Sequence, residues 1–250
     1  MTKQTSVLKI FIFSFSAFIL LYQSLPADSY DKDVLVKKIH EKMESFEKFD
    51  SWKAFVVSKQ TKMNRNWEPK AITEIQKNVK VNNGQRTEEI KLVTETKRGK
   101  SKDITEKYKE KAAKEKDDNN NKRSLEISTD EIFPFDEEKR KNYEFSLLKD
   151  STINDIPVFV LEAHPKSEAE NLWEGKYYID KENYHIIKVD LTPSIKHKLI
   201  KEFSMQLDFQ VFDNKYHMIK SSRVKIDGGI FIKHFRMITE EEYFDFKVLE

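Results

Sequence analysis

Phe203-Ser204-Met205-Gln206-Leu207-Asp208-Phe209-Gln210-Val211 is the stretch that decides the fold. Phe203, Met205, Leu207, Phe209 and Val211 fall on one side of an extended chain, and Ser204, Gln206, Asp208 and Gln210 fall on the other. A strict period of two fits a strand with one dry and one wet face, because successive side chains of a strand point to opposite sides. The dry face must lie against a packed core or a cavity. Met205, unbranched and adaptable, suits both.

The pattern extends in both directions. Asp213-Asn214-Lys215 reads as a turn, His217–Ile226 as the returning strand, Asp227-Gly228-Gly229 as a second turn, and Phe231–Ile238 and Tyr243–Val248 as further strands. Towards the N-terminus, Lys181-Glu182-Asn183 separates His185–Leu191 from Lys176–Asp180, and Val158–Ala163 and Tyr143–Leu148 precede them. From Ile156 to Phe246 the chain is expected to be an antiparallel meander. Ile187, Val189 and Leu191 are expected beside the Phe203 face on one flank, and Val224 and Ile226 on the other. Phe159 and Leu161 extend the same surface.

The first half adds a helix and a hairpin. Leu35, Ile39, Met43 and Phe46 recur at helical spacing within Asp31–Lys48, so they share one face that packs on a sheet or covers a ligand cavity. Strands are expected at Trp52–Met63, Ile72–Val81 and Thr87–Thr96. The last two are joined by Asn82-Asn83-Gly84, whose Asn-Gly pair accepts the left-handed backbone of a tight hairpin. Residues 98–123 hold ten Lys/Arg and six Asp/Glu and little apolar material, and read as an exposed charged insertion with a short helix.

Lys3 and Lys9 precede an apolar run, Ile10–Tyr22, too short for a spanning helix, and Pro26-Ala27 follows it. Residues 1–27 therefore read as a cleavable export signal, with an uncleaved anchor as the alternative, and 28–250 as one domain in the periplasm or outside the cell. The whole chain carries 45 Lys/Arg and 43 Asp/Glu; without Lys3 and Lys9 the two classes balance at 43 each. A nucleic-acid partner is not expected of a neutral chain. With no cysteine there is neither a disulfide framework nor a thiol nucleophile.

The chemistry-bearing residues form no recognised catalytic pattern. His40, His164, His185, His197, His217 and His234 lack metal-ligand spacing, although His185, His217 and His234 fall on neighbouring strands. There is no G-x-S-x-G elbow, and no glycine lies in a phosphate-cradling context. No metal, cofactor or catalytic residue is expected. The pattern suggests binding rather than catalysis.

Several segments resemble the group of outer-membrane lipoprotein-sorting proteins (LolA, LolB and RseB-like). They are Ile132-Phe133-Pro134-Phe135 with Tyr143-Glu144-Phe145, Phe159-Val160-Leu161-Glu162-Ala163-His164-Pro165-Lys166, Gly175-Lys176-Tyr177-Tyr178-Ile179-Asp180, and Ile186-Ile187-Lys188-Val189-Asp190. The resemblance covers roughly Ile132 to Phe246. It implies a mainly β fold: an open antiparallel curved sheet, an unclosed half-barrel, with an N-terminal helix and short helices packed on the concave face. It also implies a carrier or sensor of lipid or lipoprotein acyl chains, soluble after signal cleavage and without a permanent membrane anchor. A filled sheet that contacts an envelope protein is the alternative. The expected ligand-binding face comprises Leu35, Ile39, Met43 and Phe46 of the helix, Phe159, Leu161, Ile187 and Val189, the Phe203–Val211 face, and Val224 and Ile226.

Overall fold

The computed structural model describes residues 30–118, 129–169, 171–195, 198–230 and 233–249. The export signal read at 1–27, residues 119–123 of the charged insertion and His197 lie outside the described residues. In chain order the helices are α1 (Lys32–Glu44), α2 (Thr105–Asp118) and α3 (Thr129–Ile132), with a 3-10 turn at Lys139–Asn142. The strands are β1 (Trp52–Met63), β2 (Pro69–Asn82), β3 (Gln85–Lys97), β4 (Lys100–Asp103), β5 (Tyr143–Leu147) and β6 (Ser151–Ile153). They continue with β7 (Ile156–Pro165), β8 (Trp173–Asp180), β9 (Ile186–Pro193), β10 (Ile200–Phe212), β11 (Tyr216–Ile230) and β12 (Lys233–Val248).

All twelve strands join one antiparallel sheet ordered β4-β3-β2-β1-β12-β11-β10-β9-β8-β7-β5, with the short β6 beside β7. Consecutive strands are neighbours almost throughout, as turn-punctuated segments dictate. The longest chain connection between strands runs from β4 to β5 at the opposite edge, and the pairing of β1 with β12 places the N-terminal hairpins beside the C-terminal meander. The end strands β4 and β5 do not pair with each other, so the sheet is an open half-barrel.

Turn chemistry fixes the register. Asn83 (φ 48°) and Gly84 (φ 74°) take the left-handed backbone required between β2 and β3, and Asp213 (φ 51°) with Asn214 (φ 55°) does the same between β10 and β11. The β10 alternation is as expected: Met205, Leu207 and Phe209 are buried, whereas Gln206, Asp208 and Gln210 are only half-buried.

Three expectations need correction. Asp227-Gly228-Gly229 is not a turn but the interior of β11, where Gly228 pairs with Ile200 on one side and Phe235 on the other. A Cβ on Gly228 would stand 2.9 Å from the Phe235 ring and from the Leu199 carbonyl, so this glycine permits close packing in a strand. In β9 a bulge lets Tyr178 pair with Lys188 but Ile179 with Ile186, skipping Ile187. Ile186 is therefore fully buried and Ile187 half-buried, the reverse of simple alternation. Within 98–118, β4 precedes the expected helix; Asp103 accepts hydrogen bonds from Thr105 at the start of α2.

The core lies on the face that α1 and the α3 segment cover. Leu35, Val36 and Ile39 are the buried residues of α1, and a helix of this length needs such packing because its intrinsic stability is marginal. Tyr177 donates a 2.6 Å hydrogen bond from its hydroxyl to the Ile132 carbonyl, which ties the end of α3 to β8. A second cluster gathers Ala54, Val56, Val79, Val81, Met218 and Phe246 under Phe49 and Trp52.

Candidate binding face and cleft

Of the residues expected to line a hydrophobic cavity, Leu35, Ile39, Phe46, Phe159, Leu161, Val189, Met205, Leu207 and Phe209 are buried. Met43, Ile187, Phe203, Val211, Val224 and Ile226 are half-buried. Val189 pairs with Leu207 across β9 and β10, and Phe46 and Phe209 both stack on one further ring.

At the centre of this packing is an imidazole. His217 stacks on Phe209 at 4.8 Å and on Phe46 at 5.2 Å, and Phe133 lies 5.5 Å from Phe209. The His217 Nε2 lies 2.7 Å from the Ile186 carbonyl, to which a neutral ring donates its N–H. Burial pushes the His217 pKa down to about 4, against the opposing pull of that carbonyl. His185 sits 6.3 Å away with a buried Nδ1 that has no partner, and burial lowers its pKa as well. Thus two of the three strand histidines do meet. His234 is exposed, opposite Gly229, and no cluster of three or more metal-ligating side chains exists among the described residues.

An open cleft of about 720 Å³ lies between the start of α1 and the edge strand β5. Asp136 accepts backbone hydrogen bonds from Glu138 and Lys139, shaping the 3-10 turn that carries Arg140 and Lys141 to the rim. Lys32 donates to the Phe145 carbonyl at 3.3 Å, tethering the helix to the free edge of β5. Lys166 donates to the Lys141 carbonyl at 2.9 Å. The floor is apolar: Val36 and Tyr143 are buried, and the Tyr143 hydroxyl accepts the Trp173 N–H at 3.1 Å.

None of the residues expected to bind ligand lines this cleft, although Tyr143, Glu144, Phe145 and Lys166 of the segments that carry the resemblance do. The signal that marks it is the run Lys139-Arg140-Lys141 just before Tyr143-Glu144-Phe145, but Lys32 and Lys166 join it only through folding. A second cleft, of about 500 Å³, opens where β11 and β12 part beyond the pair Ser221 and Glu242. Phe212, Tyr243 and Phe246 line it. Neither lining contains a histidine.

Residues 22–245 match the family described as "Family of unknown function (DUF5686)". The chain belongs to this family. No curated protein matches the DUF5686 chain. The resemblance read in the sequence recurs among solved structures. A structure described as an outer membrane lipoprotein-sorting protein domain from Vibrio parahaemolyticus is similar, with 15% identity, 86% of this chain and 93% of that chain covered, and a TM-score of 0.40. A LolA superfamily protein from Nitrosomonas europaea shows 13% identity over 86% of this chain and 94% of that one, with a TM-score of 0.36. The MucA/MucB complex of Pseudomonas aeruginosa shows 8% identity over 87% and 99%, with a TM-score of 0.27. Likenesses at these scores are too low to carry a ligand or partner across to this DUF5686 chain.

Proposed function

We propose that this protein is a non-enzymatic, periplasmic binding protein that holds an acyl-bearing ligand, a lipid or lipoprotein chain, between the covered sheet face and α1. The carrying observation is the cleft that opens where α1 meets β5, with an apolar floor at Val36 and Tyr143. Its volume of about 720 Å³ lies within the range of small-molecule sites, about 300–1,000 Å³. The cleft is the entrance, and α1 is the movable wall. Only Leu35, Val36 and Ile39 of α1 are buried. An acyl chain inserted beneath the helix replaces the apolar contacts it displaces, each worth about 25 cal/mol per Å² before ordering costs. The ligand then lies against Phe159, Leu161, Val189, Met205, Leu207 and Phe209.

The periplasmic address rests on the export signal read at Lys3, Lys9 and Ile10–Tyr22. Among the described residues no helix is long and apolar enough to cross a membrane.

A second reading, an interaction domain for an envelope protein, is favoured by one observation: Leu35, Ile39, Leu161 and Val189 are 0% exposed, so the inner face is filled by its own side chains. Titration with a fluorescent dodecanoate derivative separates the two. Saturable one-to-one binding that unlabelled dodecanoate competes away supports the acyl carrier. No binding by protein that is folded by circular dichroism removes that reading and leaves the interaction domain.

A further inference from the structure

Resting on the acyl-binding reading, we infer that the cleft between α1 and β5 is a headgroup site for a phosphate-type anion, so that the ligand is an anionic amphiphile. The lining carries four cations, Lys32, Arg140, Lys141 and Lys166, against two carboxylates, Asp33 and Glu144. Some cations elsewhere are matched by carboxylates: Lys77 meets Glu88 and Glu241, Lys139 meets Asp136, and Lys225 meets Glu202. In the cleft they are not. Among the described residues Lys32, Lys141 and Lys166 have no carboxylate within ion-pair distance, and Arg140 has only the loose contact with Glu137 at 3.9 Å.

Lys32 and Lys166 each use one N–H on a carbonyl, which also fixes their position. An ammonium has three donors, so both retain capacity for an anion. The guanidinium of Arg140 adds a planar fork suited to phosphate oxygens. These mutually repelling cations gain Coulomb energy from a bound anion with two negative charges, and the excess of cations over carboxylates at the site is also two. The same lining holds the buried Val36 and Tyr143, and Phe145, whose ring stacks on the buried Phe135 at 6.0 Å; free phosphate cannot use this apolar surface. Charged rim and dry floor together select a molecule with both parts.

Isothermal titration of the exported full-length protein with dodecyl phosphate, dodecyl maltoside and inorganic phosphate, each below its micelle threshold where one exists, tests this. Dodecyl phosphate is expected to bind at least about tenfold more tightly than dodecyl maltoside, the equivalent of one charge-assisted hydrogen bond. The double variant Arg140→Gln, Lys141→Gln should bring that ratio close to one. The ratio should stay at its wild-type value in the control Lys107→Gln, Lys109→Gln on α2, with all variants checked by circular dichroism. Equal binding of the two amphiphiles to the wild type, or an unchanged ratio in the cleft variant, overturns the headgroup site but leaves acyl binding standing. Inorganic phosphate binding as tightly as dodecyl phosphate makes free phosphate the ligand and overturns the amphiphile. Binding of neither amphiphile overturns the acyl reading and this inference with it.

Discussion

The imidazole of His217 lies parallel to the Phe209 ring, with centroids 4.8 Å apart and planes at 13°. A titratable, half-buried ring therefore occupies an aromatic position beside Phe46 and Phe133. Such packing holds only while the ring is neutral, because an imidazolium there loses its hydration.

Stability should consequently depend on pH over a definite window. The folded pKa of His217 is about 4, below its ordinary value of 6.5, so the unfolded chain binds the proton more readily. The contribution is complete above about pH 6.5 and is lost as the pH falls towards 4. Urea unfolding at pH 5 should show a loss of about 2 kcal/mol relative to pH 7. The lowered pKa of His185 acts in the same direction. His217→Phe should flatten most of the slope, and an unchanged slope in that variant would refute the assignment.

Gly175 faces a backbone rather than open space. Its φ is 144°, and a Cβ there would lie 2.0 Å from the Asp190 carbonyl oxygen across the β8–β9 pair. Gly175→Ala should cost about 4 kcal/mol or more, seen as loss of soluble expression or a large fall in Tm. Gly84→Asn, at φ 74° with nothing within 4 Å of a Cβ, should cost less than about 1 kcal/mol.

Lys77 is 8% exposed and bridges Glu88 at 2.9 Å and Glu241 at 3.4 Å. Burial raises the Glu88 pKa, but the hydrogen bonds from Lys77 and Arg86 outweigh it and hold the carboxylate below its ordinary value of 4.5. Wild-type stability from this pair is present above about pH 4.5 and lost below it. Lys77→Ala should cost about 2–3 kcal/mol at pH 7, discounted because both carboxylates remain partly wet. The gap between variant and wild type should narrow below about pH 4.5, which denaturation curves of the two proteins at matched pH can check.

The Tyr177 hydroxyl is a buried tie between β8 and the end of α3. Tyr177→Phe leaves the Ile132 carbonyl without this partner and should destabilise by about 1–2 kcal/mol. Hydrogen exchange should rise around residues 129–135 before it rises in β10.

Much of the sheet was legible because its signals are local. The bounds of β1, the Asn83-Gly84 turn and the alternation of β10 each follow from a few adjacent residues. The failures share a cause in the third dimension. Glycines at 228–229 look like a turn in sequence, whereas they sit in β11 opposite Phe235 and His234, where the Phe235 ring and the Leu199 carbonyl leave no room for a Cβ on Gly228. The bulge at Ile187 shows only in the pairing of β9 with β8. The ionic cleft was hidden for the same reason: Lys32, Arg140 and Lys166 are distant in sequence and converge only when α1 meets β5.

The central claim is that an acyl chain enters beneath α1 and lies on the covered face. Photo-crosslinking with a diazirine-bearing dodecyl phosphate, followed by peptide mass spectrometry, tests it most directly. Labels should fall within Leu35–Ile39 of α1 and on β7 and β10, and excess unlabelled dodecyl phosphate should suppress them. Labelling confined to outwardly exposed apolar residues such as Phe235 and Phe244, or no competable labelling at all, would contradict it.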